Sequence, residues 1–252
     1  MDSRTVRIIG ASVGVILMAT AMVLAVVWGY RSRPTEQPCA ALVYVIEDRN
    51  ERMYLTENEL TAMLRAQDIY PVGRQMNRVS LHRIERCIAQ HPMVRTAECY
   101  MTVTNAVKIR ITQRVPLVRV QAPTDMYFID TDRRVMPVRN AIRDEVLVVT
   151  GTIGAQTASG VMADFAKWLK KEAYWRERIH HLYVASPNLV YVYLRDGNGG
   201  VQPTRLVLGP MRGYERKLNK MRVFYLNIPQ EIKDKQYMEY DLRYKGQVVG
   251  RY

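Results

Sequence analysis

Length, composition and charge limit the kinds of protein that this chain can be. Its 252 residues are 48% hydrophobic and 24% charged, which is typical of folded domains and excludes an intrinsically disordered chain. The formal net charge of +13 would suit a nucleic-acid-binding protein, but the Lys and Arg residues are spread along the chain and form no single basic recognition element. The composition therefore predicts a globular protein that does not bind nucleic acid.

The N-terminal segment predicts a membrane anchor. Residues 8–30 form an uncharged run of about 23 residues, which at about 1.5 Å per residue spans the hydrocarbon core of a bilayer. Trp28 and Tyr30 at its outer end favour a retained helix over the alternative, a cleaved secretory signal peptide. Arginines flank the run on both sides, so the shortness of the N-terminal side, and not the charge, predicts that the N-terminus stays in the cytoplasm.

Five segments follow from this interpretation. They are a cytoplasmic tail, a transmembrane helix, a polar hinge, a first domain and a second domain, at residues 1–7, 8–30, 31–38, 39–115 and 116–252. Membrane lipid is the expected partner of the helix, and both domains are expected to face outward.

The first domain is predicted to combine two helices with three strands. After a first strand at Ala41–Ile46, Thr56 and Glu59 form a capping box that starts a helix with one apolar face. Ser80 is the expected N-cap of a second helix. Alternating apolar residues predict two further strands, at residues 97–103 and 107–111. The order strand, helix, helix, strand, strand resembles a POTRA module, in which two helices cover one face of a small sheet.

The second domain is predicted to consist mainly of strands. The β-rich runs are Leu117–Val120, Met126–Ile129, Val146–Val149, Ile179–Val184, Leu189–Leu194 and Arg205–Leu208. Two amphipathic helices interrupt them, one marked by Val161, Phe165, Trp168 and Leu169, the other by Tyr214, Leu218, Met221 and Tyr225. Such apolar stripes are more typical of core packing than of cofactor contacts.

The C-terminal segment predicts a strand at the edge of the sheet. Alternation places Tyr240, Leu242 and Tyr244 on one face, and Glu239, Asp241, Arg243 and Lys245 on the other. We expect no later element to cover this strand, so its free amides and carbonyls could accept a strand from another protein. The alternative is that the strand only closes the domain. Lys217, in a basic helix, could add to the same surface, although such charge usually marks a solvated helix face.

No catalytic, metal or cofactor site is predicted. The sequence lacks HExxH, GxSxG, GxGxxG and Walker motifs, so we expect no enzyme and no cofactor. Cys39, Cys87 and Cys99 have no CxxC spacing and predict neither a zinc site nor a disulfide framework, while a Cys87–Cys99 bridge stays an open alternative. Adjacent His180 and His181 are expected on opposite faces of a strand, which would prevent them from binding one ion together.

The chain also carries a series of motifs in a defined order. After the N-terminal span and the POTRA-like module come VKIRITQRVPLVRV (107–120), YFIDTDRRVMP (127–137), VTG (149–151), YERKLNKMRVFY (214–225) and YDLRYKGQVV (240–249). Together they resemble the bacterial division family FtsQ/DivIB over nearly the whole chain. Lys245-Gly246-Gln247 resembles members from the Bacteroidetes, whereas Asp132-Arg133 departs from the turn glycine that the family often has.

The resemblance implies a fold and a function. The expected fold is α+β: a single N-terminal transmembrane helix, a POTRA domain, and a mainly antiparallel β-domain with two helices and a C-terminal edge strand. The expected function is that of a non-enzymatic scaffold of the divisome, in the inner membrane at the septum with periplasmic C-terminal domains, that helps localise and regulate septal peptidoglycan synthesis. The alternative is a POTRA-containing envelope assembly or protein-transport factor.

The resemblance also implies partners and a site. The partners are FtsB-like and FtsL-like division proteins, together with other divisome proteins. The family assigns partner contact to the positions of Arg243, Tyr244, Gly246 and Val248. With the strand pattern and the basic helix, the expected site also includes Tyr240, Leu242, Gln247 and Lys217.

Overall fold

The computed structural model of the chain describes residues 16–28, 37–47, 54–139, 145–195, 204–229 and 237–251. The chain divides into two compact units. The first unit comprises Met1–Glu47 and Leu55–Thr112, and the second comprises Asp48–Tyr54 and Gln113–Tyr252. That residues 39–115 and 116–252 are separate domains stays a prediction.

The predicted membrane span is described only in its central part. Residues 16–28 form helix α1. Across the described ranges, no helix combines the length and the apolarity needed to cross a membrane. Both ends of the predicted 8–30 span, the 1–7 tail and most of the 31–38 hinge lie outside the described residues.

The elements of the first unit follow the predicted order. They are β1 (Ala41–Ile46), α2 (Glu57–Ala66), a 3₁₀ turn (Met76–Arg78), α3 (Leu81–Ala89), β2 (Val94–Met101) and β3 (Ala106–Gln113). The Thr56 hydroxyl accepts a hydrogen bond from the Glu59 N–H at 3.3 Å, and the Ser80 hydroxyl accepts one from the Arg83 N–H at 3.4 Å. Both predicted N-caps therefore start their helices.

The sheet of the first unit has the order β1-β3-β2, and β1 runs parallel to β3. Parallel strands need a crossover connection, which the segment containing α2 and α3 supplies. The apolar faces are buried, as shown by Leu60 and Leu64 in α2, Ile84 and Ile88 in α3, and Ile109 in β3. The POTRA-like arrangement predicted from the sequence is confirmed.

The three cysteines are free thiols, so the alternative of a Cys87–Cys99 bridge is wrong. Cys39 and Cys87 are buried, and Cys99 is half-buried. Burial, with a smaller effect from the Glu85 carboxylate, raises the pKa of the Cys99 thiol to about 12. These side chains act as small apolar groups.

The second unit contains the predicted strands and two more, β6 and β12. Its strands are β4 (Pro116–Gln121), β5 (Met126–Asp130), β6 (Val135–Pro137), β7 (Leu147–Gly151), β8 (Ile179–Ser186), β9 (Leu189–Leu194), β10 (Arg205–Gly209), β11 (Glu239–Asp241) and β12 (Val249–Arg251). β6 and β12 have three residues each, which is too short for an alternating pattern to predict.

Helices of the second unit confirm both amphipathic predictions. They are α4 (Ala155–Thr157), a π-helical turn (Ala158–Met162), α5 (Ala163–Lys171), α6 (Ala173–Arg176) and α7 (Tyr214–Asn227). The predicted helix around Val161 is broken at Gly160, whose φ of −87° and ψ of −110° are not helical. α5 and α7 therefore carry the two predicted apolar faces.

Among the described residues, the large sheet has nine strands in the order β12-β11-β10-β9-β8-β7-β4-β5-β6. Five strand pairs are antiparallel, and three are parallel. The parallel pairs are β4–β7, β7–β8 and β10–β11. In the last two pairs, the segment that connects the two strands contains at least one helix. Residues of α5 and α7, including Phe165, Leu218 and Met221, form one core with the sheet residues Leu182 and Val192.

The prediction that His180 and His181 point to opposite faces of β8 is wrong. A β-bulge between Ile179 and His181 interrupts the two-residue alternation. The two Nδ1 atoms lie 3.1 Å apart, and the His181 ring stacks on Tyr193 with ring centroids 4.4 Å apart. Burial and the neighbouring His180 lower the pKa of His181. Within the described part of the chain, no group of three or more His, Cys, Asp or Glu side chains is placed to hold a metal ion.

The predicted continuous strand at the C-terminus is also wrong. β11 ends at Asp241, the chain turns over residues 242–248, and β12 returns antiparallel to β11. The Asp241 carboxylate accepts a hydrogen bond from the Arg243 N–H at 3.0 Å, which starts the turn. Gly246 then adopts a φ of 72°, a left-handed conformation that does not belong to a strand. The strand therefore ends at Asp241, and the alternating residues from Leu242 to Tyr244 lie in the turn that follows it.

Candidate partner-binding site

β12 forms one end of the nine-stranded sheet. It pairs with β11, with Glu239 opposite Arg251 and Asp241 opposite Val249. In the ranges that the structure describes, no strand pairs with the outer side of β12. Unpaired amides and carbonyls on an edge strand can bind a strand of another chain. β12 and the turn before it therefore form the candidate site.

β12 lies close to the segment that precedes β11. A Cβ added to Gly250 would lie 2.6 Å from Cδ1 of Tyr237, so only glycine allows this approach without displacing the ring. Tyr237 in turn packs against Tyr240, with ring centroids 5.5 Å apart. The edge strand thus rests on an aromatic cluster.

Residues 242–248, here called the terminal turn, place most of the predicted site residues at the surface. Arg243, Tyr244, Gly246 and Gln247 are exposed, and the Tyr244 side chain is 48% exposed. Val248 is half-buried and packs against the core of the unit. The terminal turn thus presents a charged and an aromatic side chain at the surface, and the Arg243 side chain packs over Gly209 at the end of β10.

Two predicted site residues lie in the core instead. Tyr240 and Leu242 are buried, and Tyr240 contacts Phe224 and Tyr225 of α7, with ring centroids 5.8 and 5.7 Å away. A partner on the surface cannot reach a buried side chain. Tyr240 and Leu242 therefore belong to the core beneath the site and not to its contact surface.

Lys220 of α7 holds the terminal turn through its backbone. Its Nζ donates to the carbonyl oxygens of Leu242, Tyr244 and Gln247 at 3.1, 2.5 and 2.6 Å. One ammonium group thereby satisfies three carbonyls of the same turn. Burial lowers the pKa of Lys220, and the Asp241 carboxylate acts in the opposite direction.

Lys217, the predicted basic site residue, has a different contact. Its Nζ donates to the carbonyl oxygens of Leu208 and Pro210 at 2.9 and 2.6 Å, at the end of β10. Burial, and next the charge of Lys220, lower its pKa. Lys217 therefore fixes α7 to β10, and the structure does not bring its ammonium group to the terminal turn.

Buried carboxylates of β11 organise a charge network under the site. Arg205 of β10 and Arg251 of β12 both bind Glu239, the latter at 3.3 Å. Arg243 binds Asp241 through its Nε and a terminal nitrogen, the shorter contact being 2.6 Å, and Arg251 lies 3.7 Å from the same carboxylate. The hydrogen bond from Arg243 is the main reason why the pKa of Asp241 is lowered.

Sequence reasoning missed Lys220 and Arg251 as site residues. Both look like ordinary surface cations in the sequence. One signal was available for Lys220: it is three residues after Lys217 and precedes the buried Met221, so the two lysines share a helix side next to the core. No sequence signal places Arg251 beside Glu239, because their pairing depends on the unpredicted return of the chain as β12.

This arrangement is suited to binding. The exposed edge offers main-chain hydrogen bonds, and the terminal turn offers Arg243 and Tyr244 as side-chain contacts. The carboxylates of Glu239 and Asp241 are each engaged by arginines, which leaves them poorly suited to act as a general base.

Comparison with known proteins identifies two matching families. The family model described as POTRA-like domain matches residues 37–112. The family model described as FtsQ/DivIB, C-terminal related, matches residues 115–251, which is more than half of the chain. No curated protein matches the chain closely enough to count as a relative. The candidate site lies within the second match.

Proposed function

The chain belongs to the FtsQ/DivIB family, and from that premise we propose that it acts as a bitopic scaffold of the bacterial divisome. Membership supports cell division as the general process. In this proposal the second unit binds FtsB-like and FtsL-like proteins and, through them, helps localise and regulate septal peptidoglycan synthesis. The POTRA-like first unit contributes contacts with other divisome proteins during recruitment to the septum.

The observation that supports partner binding is the outer edge of β12, with which no strand of the described ranges pairs, beside the exposed terminal turn. A partner strand added to β12 would gain main-chain hydrogen bonds, while Tyr244 and Arg243 would contact its side chains. The function is binding alone, without catalysis or a cofactor.

The proposal includes a membrane anchor within residues 8–30. The uncharged run in the sequence supports it, and helix α1 covers the part at 16–28. The N-terminus would lie in the cytoplasm, the anchor would contact inner-membrane lipid, and both units would lie in the periplasm.

The test is capture of the partners by the full-length chain in detergent. The probes are the extracytoplasmic segments of the FtsB-like and FtsL-like proteins of the same cell. We expect Tyr244→Glu to weaken capture by roughly tenfold or more, because it places a charge where an aromatic contact is needed. Tyr100→Glu is the matched control, since Tyr100 is 37% exposed and belongs to the first unit.

Each other outcome contradicts part of the proposal. Full capture by Tyr244→Glu would show that the site lies elsewhere on the chain. Failure of the unaltered chain to bind either probe would contradict the divisome partners and favour the alternative, an envelope assembly or protein-transport factor.

A further inference from the structure

We propose that Lys220 is a positioning residue that shapes the terminal turn for partner capture, an inference that rests on the proposed function. Lys220 would not touch the partner. It would act through the backbone of the residues that do, by holding their carbonyls in a single arrangement before the partner arrives.

The two halves of the terminal turn are held differently. The first half is bonded to the sheet, because the Leu242 N–H donates to the Val207 carbonyl at 2.9 Å and the Arg243 N–H donates to Asp241. For the second half, between Tyr244 and Gln247, Lys220 is the one group outside the turn, in the described parts of the chain, that hydrogen-bonds the backbone. Lys220 is therefore the described contact that ties the backbone around Gly246 to α7.

The ammonium group reaches the turn from a rigid support. α7 is fixed from below by the buried Leu218 and Met221, and from its N-terminal side by the Lys217 contacts to β10. Lys220 therefore has a fixed origin, and its three short bonds define where the turn lies. A flexible origin would let the turn and the lysine move together.

The chemistry suits a single ammonium group. Three donors on one nitrogen match three carbonyl oxygens that converge on it, whereas water in the same place would also be free to exchange. Without the ammonium, the three carbonyls would turn toward water, and the turn would sample several conformations. Only a fraction of the chains would then present Tyr244 correctly, and the apparent affinity would fall by that fraction.

This mechanism predicts a particular kinetic signature. A residue that touches the partner changes mainly the dissociation rate when it is altered. A residue that sets the population of the competent conformation changes mainly the association rate, because the bound state is the same once formed. If the lysine had only a general structural role, its substitution would lower the stability of the whole unit. It would not change the association rate selectively.

The experiment compares Lys220→Met with the unaltered full-length chain. Met keeps an unbranched apolar side chain and removes the charge. Lys171→Met on α5 is the control, because Lys171 is an exposed lysine of the same unit. Backbone order parameters of residues 242–251 are measured by NMR relaxation, and hydrogen exchange of β8 and β9 is measured as a control, on each chain alone. Association and dissociation rates are measured with the FtsB-like probe.

We expect Lys220→Met to lower the backbone order parameters of the terminal turn and to slow association by roughly tenfold, the effect of losing charge-assisted hydrogen bonds. Exchange in β8 and β9 and the dissociation rate should be nearly unchanged, and Lys171→Met should behave as the unaltered chain. The conservative variant Lys220→Arg should restore association only in part, because a planar guanidinium cannot point three donors from one atom.

Two results would overturn the inference. One is unchanged backbone order in the terminal turn of Lys220→Met; the other is association as fast as in the unaltered chain. If the unaltered chain does not bind the probe, the proposed function fails, and the order parameters still decide whether Lys220 orders the turn.

Discussion

Two buried aspartates end strands of the same sheet, and the turns that follow them are held in different ways. Asp130 ends β5, and its carboxylate accepts hydrogen bonds from the N–H groups of Asp132 and Arg134 at 2.8 and 2.7 Å. Asp241 ends β11, and it accepts one backbone bond, from Arg243. The turn after Asp130 is thus held mostly by bonds that its own backbone N–H groups make. The turn after Asp241 is held mostly by bonds that side chains donate.

The arginines that neutralise the two carboxylates also differ. Arg114, which binds Asp130 at 2.7 Å, is only 14% exposed. Arg243 and Arg251, which contact Asp241, are 43% and 53% exposed. An exposed guanidinium can return to water when its partner is removed, so the Asp241 end is the more adjustable of the two. The comparison indicates that the turn after β5 depends on a buried ion pair, whereas the ion pairs of the turn after β11 are more exposed to water.

Removal of each carboxylate tests the difference between the two turns with the largest expected effect. We expect Asp130→Ala to cost about 3–5 kcal/mol, because it leaves Arg114 and two turn amides without their acceptor. Asp241→Ala should cost about 1–3 kcal/mol, because its arginines regain water. Urea unfolding followed by tryptophan fluorescence measures both, since Trp168 and Trp175 lie in the second unit. Equal costs would contradict the difference between the two turns.

A pH series isolates the charge of Asp241. Its pKa is lower in the folded chain, so its contribution to stability is present above the unfolded value of about 3.9 and is lost as the pH falls through the folded value. We therefore expect Asp241→Asn to be less stable than the unaltered chain at neutral pH, with a gap that closes as the pH falls below about 4. The measurement is urea unfolding of both chains at several pH values, and a gap that stays constant into strong acid would show that the charge is not the cause.

The smallest expected effect compares two glycines. Gly246 has a φ of 72° in the terminal turn, so Gly246→Ala should cost about 1 kcal/mol from left-handed strain. Gly154 is the control, because its φ is −84° and a Cβ there would meet nothing within 4 Å. Gly154→Ala should be neutral or stabilise by about 0.4–1 kcal/mol in the same unfolding assay. A neutral Gly246→Ala would mean that the terminal turn relaxes to another conformation.

The turn after Asp130 shows that several hydrogen bonds can hold a residue other than glycine in a left-handed conformation. Arg133 adopts a φ of 66° there without being glycine, within the Asp132-Arg133 pair that departs from the turn glycine expected from the resemblance. Two bonds to the Asp130 carboxylate and the Arg133 N–H bond to the Asp130 carbonyl at 3.0 Å hold this conformation. The terminal turn lacks such a backbone anchor in its second half and uses Gly246 instead.

Elements that are formed by local interactions were predictable from the sequence. Thr56 and Ser80 cap their helices through bonds to residues three positions away, and the apolar periods of α5, α7 and most strands are visible within short windows. For the same reason the order of elements in the POTRA-like unit was predictable. The surface position of Tyr244 and Gly246 was also predicted, although for a strand that ends earlier than expected.

The arrangement of the C-terminal segment was not predictable, because it depends on contacts between distant parts of the chain. The return of the chain as β12, the burial of Tyr240 and Leu242, and the bulge that brings His180 and His181 together each depend on a neighbouring strand. Lys220 meets carbonyls that are 22 to 27 residues away along the chain, and Arg205 meets Glu239 across 34 residues. Local patterns record the period of an element and its caps, whereas contacts over such separations are set by which strands pair, and the pairing is fixed only when the whole sheet forms.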